Sequence, residues 1–119
     1  MALFSNVVIA LVIVLHLYFL VLEMFLWTKP LGRRVFRLTP EFAQASAALA
    51  ANQGLYNGFL AAGLLWGVVL GPDGFSVKIF FLACVIVAGL FGAFTISRKI
   101  FWAQALPGGL ALVSVLIAR

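Results

Sequence analysis

The chain has 119 residues, 66% of them hydrophobic and only 9% charged, with eight Lys and Arg against three Asp and Glu for a net charge of +5. A soluble domain covers its surface with about 25% charged residues, so a water-soluble fold is excluded and the mean hydropathy of +1.22 places the chain in lipid. The basic residues sit between apolar runs, where membrane flanks belong, so the positive charge does not point to nucleic acid.

Four apolar spans are expected, at about residues 4–27, 42–70, 75–97 and 100–118, giving an all-α, integral membrane bundle of four transmembrane helices in one domain. The first, Phe4 to Trp27, has no basic n-region and no small-residue cleavage site, so it reads as a retained helix and not a signal peptide. It carries His16 and Glu23. Ionisable groups in such a segment cost roughly 2.5–3.5 kcal/mol on insertion scales and face a protein interior or a wet cavity. Seven residues is nearly two turns, so the two lie on one stripe about 10 Å apart along the axis.

The second span opens with Thr39-Pro40-Glu41: threonine caps, proline suits the first helical position, and glutamate meets the positive dipole end. It is longer than the hydrocarbon requires, so its first turns, with Gln44 and Ser46, should project beyond the bilayer or tilt. Gly71-Pro72-Asp73-Gly74 reads as a tight turn. The third span contains Cys84, which alone forms no intramolecular disulfide and reads as a small core residue. The fourth contains Pro107-Gly108-Gly109, which predicts a kink or a late start.

Four spans place residues 28–40 and 98–99 on one side, with Lys29, Arg33, Arg34, Arg37, Arg98 and Lys99, against Lys78 and Arg119 on the other. The positive-inside rule then makes the basic loops cytoplasmic and both termini external. Trp27, Trp66 and Trp102 fall near predicted helix ends, as interface anchors do.

In that orientation the polar side chains gather in the cytoplasmic half: Glu23, with His16 near the midplane, Asn52, Gln53, Tyr56 and Asn57 on the second span, Thr95 on the third and Gln104 on the fourth. At 100° per residue Asn52, Tyr56, Gln53 and Asn57 fall at about 0°, 40°, 100° and 140°, which predicts one shared face. Gly54-x-x-x-Gly58 and Gly63-x-x-x-Gly67 interrupt the same helix at a spacing that lets helices approach closely. Glu23 and His16 are the candidate catalytic pair, able to move a proton on a lipophilic substrate that Asn52, Gln53, Tyr56, Asn57, Thr95 and Gln104 hold. With one histidine and no Cys/His/carboxylate cluster, no metal site is expected, and no cofactor.

The run from His16 through Glu23 to Trp27, the stretch Ala51-Asn52-Gln53-Gly54-Leu55-Tyr56-Asn57-Gly58-Phe59-Leu60, Arg98-Lys99 and Gln104-Ala105-Leu106-Pro107 together resemble the small bacterial membrane proteins of the domain-of-unknown-function 1304 family. The resemblance covers essentially the whole chain and implies a four-helix protein of the bacterial inner membrane; it carries no activity. More distantly, Asn52, Tyr56 and Phe59-Leu60 are similar to the second helix of the membrane-associated eicosanoid and glutathione metabolism proteins. That likeness implies an oligomer with ligands at subunit interfaces. Ala48 and Leu55 stand where those enzymes have arginine and glutamate, so glutathione is not expected.

The expected function is therefore a cytoplasm-facing intramembrane pocket for a small lipophilic molecule, with acid/base chemistry available, in a homo-oligomer contacting membrane lipid. Gly89-x-x-x-Ala93 is a further close-packing pattern that favours association. A proton-coupled exporter is the alternative, although the outer half lacks a polar path. A structural or assembly subunit, its polar face a seam with a partner, is the third.

Overall fold

The computed structural model describes residues 2–119. It is all-α, with no strand among the described residues. The elements run α1 (Ala2–Met24), α2 (Pro30–Phe36), α3 (Pro40–Val69), a 3₁₀ turn (Gly71–Gly74), α4 (Phe75–Thr95), a π-helical turn (Phe101–Ala105) and α5 (Leu106–Ala118). Three stretches are long and apolar enough to cross a membrane: Ala2–Met24, Gly71–Thr95 and Phe101–Ala118. The longest helix, α3 with 30 residues, is not among them. Asn52, Gln53 and Asn57, with glycines 54, 58, 63 and 67, dilute its apolar content.

Local chemistry explains the ends. Thr39 caps α3 as expected, its Oγ1 accepting from the Phe42 N–H at 3.1 Å, with Pro40 at the first helical position. α1 stops at Met24, earlier than the apolar run: the Leu26 N–H bonds five residues back, to Val21 O at 3.2 Å, and the chain turns. The segment after it, where the basic residues predict a loop, contains α2. Pro30 starts it and Arg37 ends it in the left-handed conformation, φ 56° and ψ 50°. The Arg37 and Leu38 N–H groups return to Arg34 O (3.4 Å) and Arg33 O (2.8 Å), the paired bonds of a Schellman cap. Gly71, at φ +64°, supplies the same conformation where α3 gives way to the 3₁₀ turn.

The predicted disturbance at Pro107 takes the form of a π turn. The Leu106 N–H reaches Phe101 O, five residues back instead of four. Proline at the next position has no N–H, and its ring would press on a carbonyl four residues earlier in a regular α-helix. Widening the turn relieves that contact.

The chain forms two compact units, one from residues up to Leu15 with Leu60–Arg119, the other His16–Phe59. The first holds the apolar core: Ile9 and Val12, Leu64, Leu82 and Val85, Ala111 and Val115, from α1, α3, α4 and α5 respectively. Its α4 and the returning chain approach closely at Gly89, where a Cβ would lie 2.6 Å from Ala105 N. Gly89 is therefore used within the chain, not left as an open face for association. Cys84 is only half-buried and stands outside the core cluster.

The second unit contains the C-terminal part of α1, α2 and the first twenty residues of α3. Its seam is set by glycine. A Cβ at Gly54 would stand 2.6 Å from Met24 Cγ, and one at Gly58 2.8 Å from Leu20 Cδ1. The Trp27 ring packs on Phe36 at 4.9 Å between centroids, and its Nε1 donates to Ser46 Oγ at 3.0 Å. Ser46 in turn donates to Phe42 O at 2.6 Å. Trp27 thereby ties the ends of α1, α2 and α3 together.

Candidate functional site: a carboxyl and carboxamide pair on the α1–α3 seam

Glu23 and Asn57 are the two predicted site residues that the structure joins directly. Asn57 Nδ2 donates to Glu23 Oε1 at 2.5 Å, across the seam that Gly54 and Gly58 open. The Gly54 position also lies against the Glu23 side chain: a Cβ there would stand 3.2 Å from Glu23 Cβ. Small residues are thus what let the carboxyl lie flat along α3 and reach an amide one turn further on. Asn57 is buried and Glu23 half-buried.

His16 lies two turns before Glu23 on α1 and is fully buried. Its ring meets Phe19 edge-on, 6.5 Å between centroids and 83° between planes. An imidazole and a carboxyl therefore occupy one helix within the same unit. Glu23 Oε2 and the Asn57 carbonyl oxygen keep further hydrogen-bonding capacity.

The expected single polar face of α3 divides. Asn57 joins the buried stripe of Ala43, Ala50 and Gly54, whereas Asn52, Gln53 and Tyr56 are exposed. The stripe's spacing of seven, four and three residues keeps it on one side of a 3.6-residue helix. Asn57, at about 140° on the wheel, falls at its edge, and Asn52, at about 0°, falls nearly opposite. Tyr56 packs edge-on against Phe59 at 5.7 Å on that outer side.

Thr95 and Gln104 belong to the other unit. Thr95 Oγ1 donates to Phe91 O at 2.7 Å, a bond to its own helix. Gln104 lies in the π turn, its Cβ close to the Gly89 position. Among the described residues no three of His, Cys, Asp and Glu gather where an ion could be held.

Two further side-chain bonds join residues far apart in the sequence. Lys78 Nζ donates to Asn6 Oδ1 at 3.1 Å, within the first unit. Trp27 bonds Ser46, as described above. Both partners in each case were visible in the sequence, but a lone polar residue in an apolar run does not say which helix it meets.

The family model described as "Protein of unknown function (DUF1304)" matches residues 10–116. An uncharacterized protein, YpaA, of Lactococcus lactis subsp. lactis (strain IL1403) is 27% identical over 114 residues, 93% of each chain. No solved structure matches.

Proposed function

This chain belongs to the DUF1304 family, and since that family's description assigns no activity, we propose from the site itself that it is a membrane protein binding a small lipophilic molecule at the Glu23–Asn57 pair. The Asn57–Glu23 hydrogen bond on a glycine seam carries the proposal. A carboxyl group in an apolar setting needs a partner, and pairing it with a single amide leaves acceptor and donor capacity for a ligand. Buried His16 on the same helix offers a second acid/base group, so conversion of the bound molecule by proton transfer belongs to the same proposal.

The proposal takes α3 as a fourth membrane span, with residues 28–40 and 98–99 cytoplasmic and both termini external, in the bacterial inner membrane. The six basic residues of those two stretches support that orientation. At 30 residues α3 reaches about 45 Å, enough to cross with its first turns outside. Exposed Asn52, Gln53 and Tyr56 on that helix then require polar partners, since unsatisfied amides in hydrocarbon cost several kcal/mol. A second copy of the chain supplies them, and the same exposed face is what favours an assembly role as the second reading.

Native mass spectrometry of detergent-purified wild-type and Glu23→Gln protein tests this. A defined small molecule on the wild type, absent from Glu23→Gln in the same oligomer, is the expected result. Wild-type protein that emerges empty would sink the proposal and shift weight to the assembly reading.

A further inference from the structure

One side of α4 carries a groove made of two hollows. At its C-terminal end Leu90, Ala93, Phe94, Arg98, Phe101 and Trp102 line a hollow of about 520 Å³. Toward the helix N-terminus a second hollow of about 500 Å³ follows on the same helix, with Phe80, Val87 and Phe91 among its walls. Residues 80, 84, 87, 91 and 94 recur at alternate spacings of four and three, so the two hollows lie along one stripe. Both have the volume of a ligand site.

The chemistry of the groove is asymmetric. Its length is apolar, with Phe91 and Phe94 exposed at 69% and 88%. Its one charged lining group, Arg98, stands just past the last residue of α4, and Lys99 follows. Trp102 flanks the same end, 64% exposed. The Arg98 guanidinium makes no hydrogen bond or ion pair among the described residues. The rise along the groove from Phe80 to Phe94 is about 21 Å, within a hydrocarbon core about 30 Å thick. A cation and an indole at the edge of an apolar span sit at headgroup depth.

We propose that this groove binds an anionic phospholipid, its phosphate on Arg98 and one acyl chain along α4 toward Phe80. The proposal rests on the membrane placement of α4, not on the Glu23 site. Charge complementarity selects the occupant: the phosphate of an anionic lipid meets the one cation of the lining, Arg98, whereas a zwitterionic lipid presents a cation beside its phosphate.

The test is native mass spectrometry of the full chain in detergent, titrated with equal dioleoyl phosphatidylglycerol and dioleoyl phosphatidylcholine. The wild type should retain the phosphatidylglycerol about fivefold more than the phosphatidylcholine, since one Lys or Arg at a membrane surface contributes about 1 kcal/mol and tenfold is 1.4 kcal/mol. Arg98→Gln should abolish that preference while helical circular dichroism stays unchanged. Phe94→Ser should lower retention of both lipids. Arg34→Gln, an exposed basic residue on α2 outside the groove, should keep the preference. Preference surviving in Arg98→Gln, or lost equally in Arg34→Gln, would show only diffuse surface charge and overturn the proposal. A change of oligomer mass in Phe94→Ser with lipid retention intact would overturn it in favour of a second copy. Loss of the small molecule in Glu23→Gln is read in a separate variant, so either proposal can fail without the other.

Discussion

At the residue scale, the Glu23–Asn57 bond is the contact from which the functional proposal grows, and its strength is measurable. Interhelical hydrogen bonds inside membranes couple by about 0.6 kcal/mol on average and up to about 1.7. A Glu23→Ala, Asn57→Ala double-mutant cycle in detergent should give coupling within that range; a value near zero would mean the pair contributes nothing. Arg37 offers a cleaner case. Its left-handed backbone costs an ordinary residue about 1 kcal/mol that glycine avoids, and its guanidinium donates to no partner among the described residues. Arg37→Gly should therefore raise thermal stability, by roughly 0.5–1 kcal/mol, without changing ligand retention. Both Glu23 and Asn57 were legible in the sequence as candidates. Their pairing was not, because a helical wheel assigns a face and not a partner, and the buried stripe through Ala43, Ala50 and Gly54 admits Asn57 but leaves Asn52 outside.

At the element scale, glycine decides which helices approach. Gly54→Val places carbon against Met24 and Glu23, where a single Cβ already comes within 2.6 Å of Met24 Cγ. Such overpacking costs typically 1–3 kcal/mol. The variant should unfold at a lower denaturing-detergent fraction, and Leu49→Val, at an exposed position of the same helix, should not. The long helices, the Thr39 cap and the trouble at Pro107 were readable in advance, since periodicity, capping chemistry and a missing N–H are local properties. Two features escaped. α2 hid among basic residues because seven residues give too few turns for a pattern, though Pro30 after Lys29 was a start signal. The form of the Pro107 disturbance depends on how the neighbouring carbonyls are shared, which no residue type announces.

At the scale of the whole molecule, the number of membrane crossings is a question of parity. Ala2–Met24, Gly71–Thr95 and Phe101–Ala118 alone would leave the two termini on opposite sides. With α3 as a fourth crossing they share a side. Cysteine labelling at residue 2 and residue 119, in protein whose Cys84 is replaced by Ser, should find both termini accessible from outside the cell. Opposite accessibility would remove α3 from the membrane and with it the cytoplasm-facing pocket. The sequence carried this ambiguity openly: its polar residues make α3 the best candidate for a site and the poorest for a span.

The π turn at Phe101–Ala105 bears on which insertions and deletions this chain tolerates. A turn of this kind is an α-helix holding one residue too many. Removing a single codon there, that of Ala103 for example, should restore the ordinary register while leaving Lys99 before it and Gly108 after it on their present faces. Pro107 would then press on the carbonyl that the wider turn now spares it. The deletion and Pro107→Ala should therefore compensate: the deletion alone damaging, the two together close to neutral. A single-residue length difference at this point among homologous chains should accordingly travel with the identity of the residue at position 107.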